Sequence, residues 1–152
     1  MTTVVHGIAE FEALAGTHLG YSDWHAIEQD QVNRFADATG DHQWIHVDAD
    51  RAASGPFGGT IAHGYLTLSI IPAILHEVLR VEDFRFGVNY GCNKVRFPSP
   101  VKVGSKVRLG AAVASVEPVA DGGAQVELDV TIESEGSQKP SCVAQVVYRY
   151  YW

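Results

Sequence analysis

The sequence predicts an α+β domain in which an antiparallel sheet wraps around a long central α-helix. Three observations carry that expectation. With 152 residues, 46% apolar and 19% charged, the chain is long and apolar enough for one buried core, so residues 1–152 read as a single domain. One stretch, TIAHGYLTLSIIPAILHEVLR from Thr60 to Arg80, is apolar on nearly every side and must be surrounded as a helix. The second half is a run of Val-, Tyr- and Phe-rich segments that partly alternate with polar residues, as strands of a half-buried sheet do.

The elements follow in order. Residues 10–16 (EFEALAG) read as a short helix stopped by Gly16, and Leu19 to Gln29 alternates loosely as a strand. Asp30 is placed to cap a helix through Val32, Phe35 and Ala36, which Gly40 ends. Asp48 or Asp50 can cap a short turn reaching Ser54-Gly55, and PFGG is a loop. Thr60 opens the apolar helix, within which Pro72 removes one backbone hydrogen bond and bends the axis. The strands are FRFGVNYG, NKVRF, SKVRLGAAVASV, AQVELDVTIES and CVAQVVYRYYW, with Asp121-Gly122-Gly123 as a hairpin turn.

Composition excludes several classes of function. A formal charge of −7 argues against nucleic acid as a partner. The stretch from Ala52 to His76 has no Lys, Arg, Asp or Glu, yet its glycines, prolines and histidines leave too short an apolar run to span a bilayer. The N-terminus lacks a basic segment followed by an apolar one, and the two cysteines, Cys92 and Cys142, have no paired spacing. Both features suit a cytoplasmic protein whose thiols are reduced and buried as core filler. The segment Phe84 to Val116 carries Arg85, Lys94, Arg96, Lys102, Lys106 and Arg108 and no acid, so it offers either a local surface for a small anion or simply the solvated faces of strands.

The chemistry concentrates in ATGDHQWIH, where Asp41 and His46 lie five residues apart just after Gly40. A carboxylate and an imidazole can hold one water between them and move its proton near neutral pH, and Trp44 and Ile45 supply a dry wall. The alternative is structural: Asp41 caps the next turn and His46 sits satisfied in the core. A metal bound by His42, His46 and a nearby Asp is a further reading, but that spacing serves a helix and Gly40 argues for a loop, so no metal is expected. In Ile61-Ala-His-Gly-Tyr65 the first N–H groups of the apolar helix lack internal partners, and Gly64 leaves its backbone open to a ligand. Such an amide can stabilise the enolate-like oxygen formed when water adds to a conjugated thioester, whereas its bland role is close helix–sheet packing. His63 is placed to cap or pack.

GDHQWIHVDADRAA followed by FGGTIAHGYLTLS resembles the single-hot-dog MaoC-like hydratases, the (R)-specific enoyl-CoA hydratase family, and within it the mycobacterial single-domain members. Gly40, Asp41, His46, Asp48, Ile61, Ala62, His63 and Gly64 match that family's two blocks, and the likeness continues through VNYGCNKVRFPSPVKVGSKV. Gln43 and Trp44 depart from it, standing where Asn and Pro are common. The resemblance implies a hot-dog fold and a reversible hydration of trans-2-enoyl-CoA to the (R)-3-hydroxyacyl thioester. It implies Asp41 as the group activating the water, His46 as proton donor or acceptor at the α-carbon, and the Gly64 amide as the oxyanion donor. Gln43, Trp44, His63, Tyr65, Lys94 and Arg96 are the implied substrate contacts, the last two near the phosphates. Coenzyme A is then part of the substrate, no separate cofactor is needed, and a homodimer with two continuous sheets is expected. Two other readings remain open: a hot-dog thioesterase, and a subunit of a heterodimeric 3-hydroxyacyl-ACP dehydratase.

Overall fold

The computed structural model describes residues 1–152. The chain opens with strand β1 (Thr3–His6), helix α1 (Ile8–Glu12) and two short strands, β2 (His18–Tyr21) and β3 (His25–Ala26). Helix α2 (Gln29–Thr39) starts from Glu28; Asp30, expected as its cap, lies inside the first turn and pairs with Arg34 at 2.7 Å. Gly40 ends α2 in the left-handed conformation (φ 81°), which lacks a steric cost only for glycine. Two one-turn helices follow, α3 (Trp44–Val47) and α4 (Ala49–Ala53), and the Asp48 side chain accepts from the Arg51 N–H at the head of α4, as expected of a cap.

The central helix is shorter than its composition suggests. Thr60 to His63 is extended: Ile61 bridges to Lys102, the Ala62 N–H donates to Val101, and the Val103 N–H donates to Thr60. This pairing satisfies the backbone without a helix, so the helix begins only at Gly64. It runs in two pieces, α5 (Gly64–Ser69) and α6 (Ile71–Leu75), broken at Ile70 just before Pro72, which has no N–H to continue the ladder. A turn then leads to β4 (Leu79–Glu82), which pairs in parallel with β1, so the residues read as the end of the helix are a strand.

The remaining strands are β5 (Phe86–Arg96), β6 (Lys106–Val119), β7 (Gly123–Ser134) and β8 (Cys142–Tyr151). The first of these joins two segments read separately, with register shifts near Gly91 and Asn93 taking up the irregularity. The main sheet has the order β2-β6-β7-β8-β5, and all of its pairings are antiparallel. Asp121 and Gly122, both at positive φ, lie in the three-residue loop 120–122 that turns β6 into β7. Val126, Leu128, Val130 and Ile132 are buried at alternate positions of β7, as are Val107, Leu109, Ala111 and Val113 of β6. That period of two gives the sheet one apolar face, and Leu66, Ile71, Ile74 and Leu75 of the two-piece helix pack with it in one core. No helix is long and apolar enough to cross a membrane.

Two composition readings are revised. Cys142 is buried, and burial pushes its thiol up to about 11, whereas Cys92 lies exposed on the edge strand and fills no core. The basic segment is divided, because β5 and β6 are separated by β8 and β7. Arg108 is held by Glu133 at 2.8 Å and faces the rings of Tyr21 and Trp24, so the six cations form no single surface.

Candidate active site

The site forms where three local elements meet. The left-handed Gly40 turns the chain out of α2 and delivers Asp41, and the single turn α3 carries His46 inward until it is 6% exposed. The extended segment Thr60–His63 supplies the opposite wall. The Ile61 N–H donates to the Ile45 carbonyl at 3.0 Å, and His46 Nδ1–H donates to the Ile61 carbonyl at 2.7 Å. A carbonyl can only accept, so the proton sits on Nδ1 and the Nε2 lone pair is left bare.

His63 completes the group. It is 3% exposed, its ring stacks on His46 with centroids 3.9 Å apart and planes 24° apart, and its Nε2 donates to the Asp41 backbone carbonyl at 2.9 Å. Asp41 itself is exposed, with its carboxylate accepting from the Gln43 N–H at 3.3 Å. Asp41, His46 and His63 each bring one ligating atom to within 4.8 Å of the others. The histidine rings are stacked face to face and each commits one nitrogen to a carbonyl, which leaves His46 Nε2 and His63 Nδ1 without a protein partner. His42, the other candidate metal ligand of the motif, points elsewhere and bonds Asp37 at 2.9 Å.

Burial pushes the His46 imidazole below its ordinary 6.5, with His63 adding to the shift while the Ile61 carbonyl and Asp41 oppose it. The unfolded chain therefore takes up a proton more readily than the folded one below pH 6.5. The contribution of His46 to stability is full above 6.5 and is lost as pH falls through its lowered folded value. Urea unfolding of wild type and His46→Gln between pH 7.5 and 5 checks this (~pH values spanning the imidazole range). Wild type is expected to lose more stability than the variant over that interval; parallel curves would refute the shift.

Other predicted residues are spread around this centre. Trp44 is half-buried, with the Arg51 guanidinium 4.3 Å above its ring and Gly55 against its edge, where a Cβ would come within 3.0 Å of the indole. Gln43 is exposed at the head of α3. Gly64 is the first residue of α5, and a Cβ there would meet the Phe97 ring at 2.9 Å. Tyr65 is 71% exposed beside Phe97. Lys94 and Arg96 are not gathered with these residues. Val95 between them packs on the core, so both neighbours point to the far face of the sheet, where Lys94 lines a shallow cavity with Asp129 and Gln145.

Sequence reading missed Gln29. Its Nε2 donates to the His46 carbonyl at 2.8 Å, and its Oε1 accepts from the Thr60 hydroxyl at 2.6 Å, so one amide ties α2 to both walls of the site. A lone glutamine at a helix start carries no spacing signal that could have revealed this. Gln29→Ala leaves a buried hydroxyl and a carbonyl unpaired and is expected to cost about 2 kcal/mol. In a chain of this size that is a fall of roughly 5 °C in Tm, measurable by thermal unfolding.

With this geometry in view, comparison with known proteins is decisive. Residues 10–135 match the family described as MaoC like domain. The chain belongs to the MaoC-like family. The 3-hydroxyacyl-thioester dehydratase Z of Mycobacterium tuberculosis (strain ATCC 25618 / H37Rv) is 52% identical to this MaoC-like chain over 143 residues, covering 94% of this chain and 95% of that protein. The monoamine oxidase regulatory protein of Archaeoglobus fulgidus superposes with a TM-score of 0.79 at 19% identity, over 100% of this chain and 99% of that one. The R-hydratase PhaJ1 of Pseudomonas aeruginosa gives 0.71 at 24% identity, over 95% and 85%. At such identities the two structural likenesses speak for the hot-dog fold alone, whereas the mycobacterial relative and the matched family mark this MaoC-like protein as a hydro-lyase.

Proposed function

We propose that the protein interconverts trans-2-enoyl-CoA and (R)-3-hydroxyacyl-CoA by adding or removing water. The observation that carries the proposal is the bare Nε2 of the buried His46 beside the Asp41 carboxylate, at the head of a helix whose first N–H groups are free. In hydration, Nε2 takes a proton from water while Asp41 accepts the water's other O–H and steadies the imidazolium that forms. The hydroxide adds at the β-carbon and electrons move toward the thioester carbonyl, whose developing negative charge meets the Gly64 N–H. The imidazolium then returns its proton to the α-carbon. One water is consumed, no net proton is released, and dehydration retraces the path. The bare nitrogen favours His46 for the water-activating step that sequence reading gave to Asp41, while His46 remains the donor at the α-carbon.

Delivery of both hydroxyl and proton from one dyad places them on the same face of the double bond, and the named activities of the relatives support a thioester of a 3-hydroxy acid as the product. A homodimer fits the edge strand β5, whose outer row has no partner and whose Phe86, Val88 and Tyr90 are exposed. A cytoplasmic location suits the free thiols and the carrier. The test follows the ultraviolet absorbance of crotonyl-CoA and longer trans-2-enoyl-CoAs mixed with the pure protein, with free thiol monitored in parallel. Loss of the conjugated band without thiol release is the expected result. Thiol release would make the protein a thioesterase, and no change would point to a carrier-protein substrate or a partner-dependent subunit.

A further inference from the structure

We propose that His63 is a positioning residue for the hydration site, locking the Asp41 backbone and the plane of the His46 ring through a single imidazole. The proposal rests on the roles given above to Asp41 and His46. Although His63 stands at the N-cap of α5, its side chain makes no capping bond. It reaches instead across 22 residues to the Asp41 carbonyl at 2.9 Å. The same ring lies 3.9 Å from the His46 ring and 4.8 Å from the Phe35 ring. Asp41 and His46 come from different local structures, a loop and a helical turn, and His63 touches both.

The hydrogen bond also sets the tautomer. The Asp41 carbonyl can only accept, so Nε2 of His63 carries the hydrogen and Nδ1 is an uncovered lone pair, buried with no partner. A buried polar atom left unpaired costs stability, and Phe or Leu would fill the same space without that cost. What an apolar side chain lacks is the donor to Asp41. The unpaired nitrogen is therefore the by-product of choosing a flat, stackable ring that also donates. A mere space-filler would have no such need.

The experiment compares His63→Phe and His63→Gln with wild type, and runs Asp41→Asn and His46→Gln in parallel on crotonyl-CoA. His63→Phe keeps a flat ring against His46 and loses the donor. Its kcat is expected to fall about 10- to 100-fold with KM little changed, since small misplacements of reacting groups cost that much. The acid limb of its pH profile is expected to move to higher pH, because the neighbour that lowers His46 is gone. His63→Gln, whose amide can reach the same carbonyl, should recover part of the loss in kcat. Wild-type kcat and an unmoved pH profile in a folded His63→Phe protein would overturn the positioning role while leaving the dyad intact. Full activity in Asp41→Asn or His46→Gln would instead remove the reading on which it rests. If His63→Phe does not fold, the tautomer decides: long-range 1H–15N correlation spectra of wild type should show His63 protonated at Nε2, and an Nδ1–H tautomer would refute the bond to Asp41.

Discussion

His46→Gln is expected to reduce the hydration rate by about a thousandfold, within the range that a positioned acid–base group supplies. The glutamine amide can replace Nδ1–H as a donor to the Ile61 carbonyl, so the 2.7 Å link that anchors α3 need not be lost. It has no basic lone pair to stand for Nε2, so it cannot take the proton from water. Asp41→Asn should cost about a hundredfold, because the amide can still contact the water but cannot offset the charge of an imidazolium. Asp41 is exposed and its backbone carbonyl, which His63 holds, is unchanged by the swap, so the fold should survive. Steady-state rates on crotonyl-CoA, with circular dichroism to establish folding, check both. Near-wild-type rates in either variant would end the assignment of the pair.

Gly64→Ala is expected to lower kcat/KM by about a hundredfold, the scale set by losing one oxyanion donor. Two causes are possible and they separate cleanly. A Cβ at this position would sit 2.9 Å from Phe97 Cδ2, so the ring must move or the head of α5 must shift. A Cβ would also stand beside the N–H that the thioester oxygen has to reach. Phe97→Ala removes the first problem and leaves the second. In the double variant stability should return toward that of Phe97→Ala alone while activity stays low; recovery of activity as well would mean that Gly64 serves packing and that the oxyanion donor lies elsewhere.

The history of the central helix shows why such a site is only partly legible in sequence. Thr60 to Arg80 is mostly apolar, and apolarity says that a segment is buried without saying in what conformation. Thr60, Ile61 and Ala62 became extended because Val101 to Val103 lay ready to pair with them, and Leu79 to Glu82 became a strand because β1 did. Both partners are distant in sequence, and β1 is too short to announce itself. The turns were more legible: Gly40 and Asp121-Gly122 act through φ angles within a few residues and were read as turns, and Asp48 is the one of the two offered caps that bonds the helix start, although Asp30, also read as a cap, lies inside the first turn of α2.

The sequence by itself therefore determined the α+β class, the strand content of the second half, the local turns and the two blocks that carry Asp41, His46 and Gly64. Tertiary structure alone decided that His63 joins the first block, that Gln29 clamps it, and that Lys94 and Arg96 face away from it. It also left Cys92 in solvent rather than in the core. The physical reason is range. Caps and turns are written in neighbouring residues, whereas the tautomer and burial of His46 depend on a carbonyl fifteen residues away whose position is held by pairing with a third segment of chain.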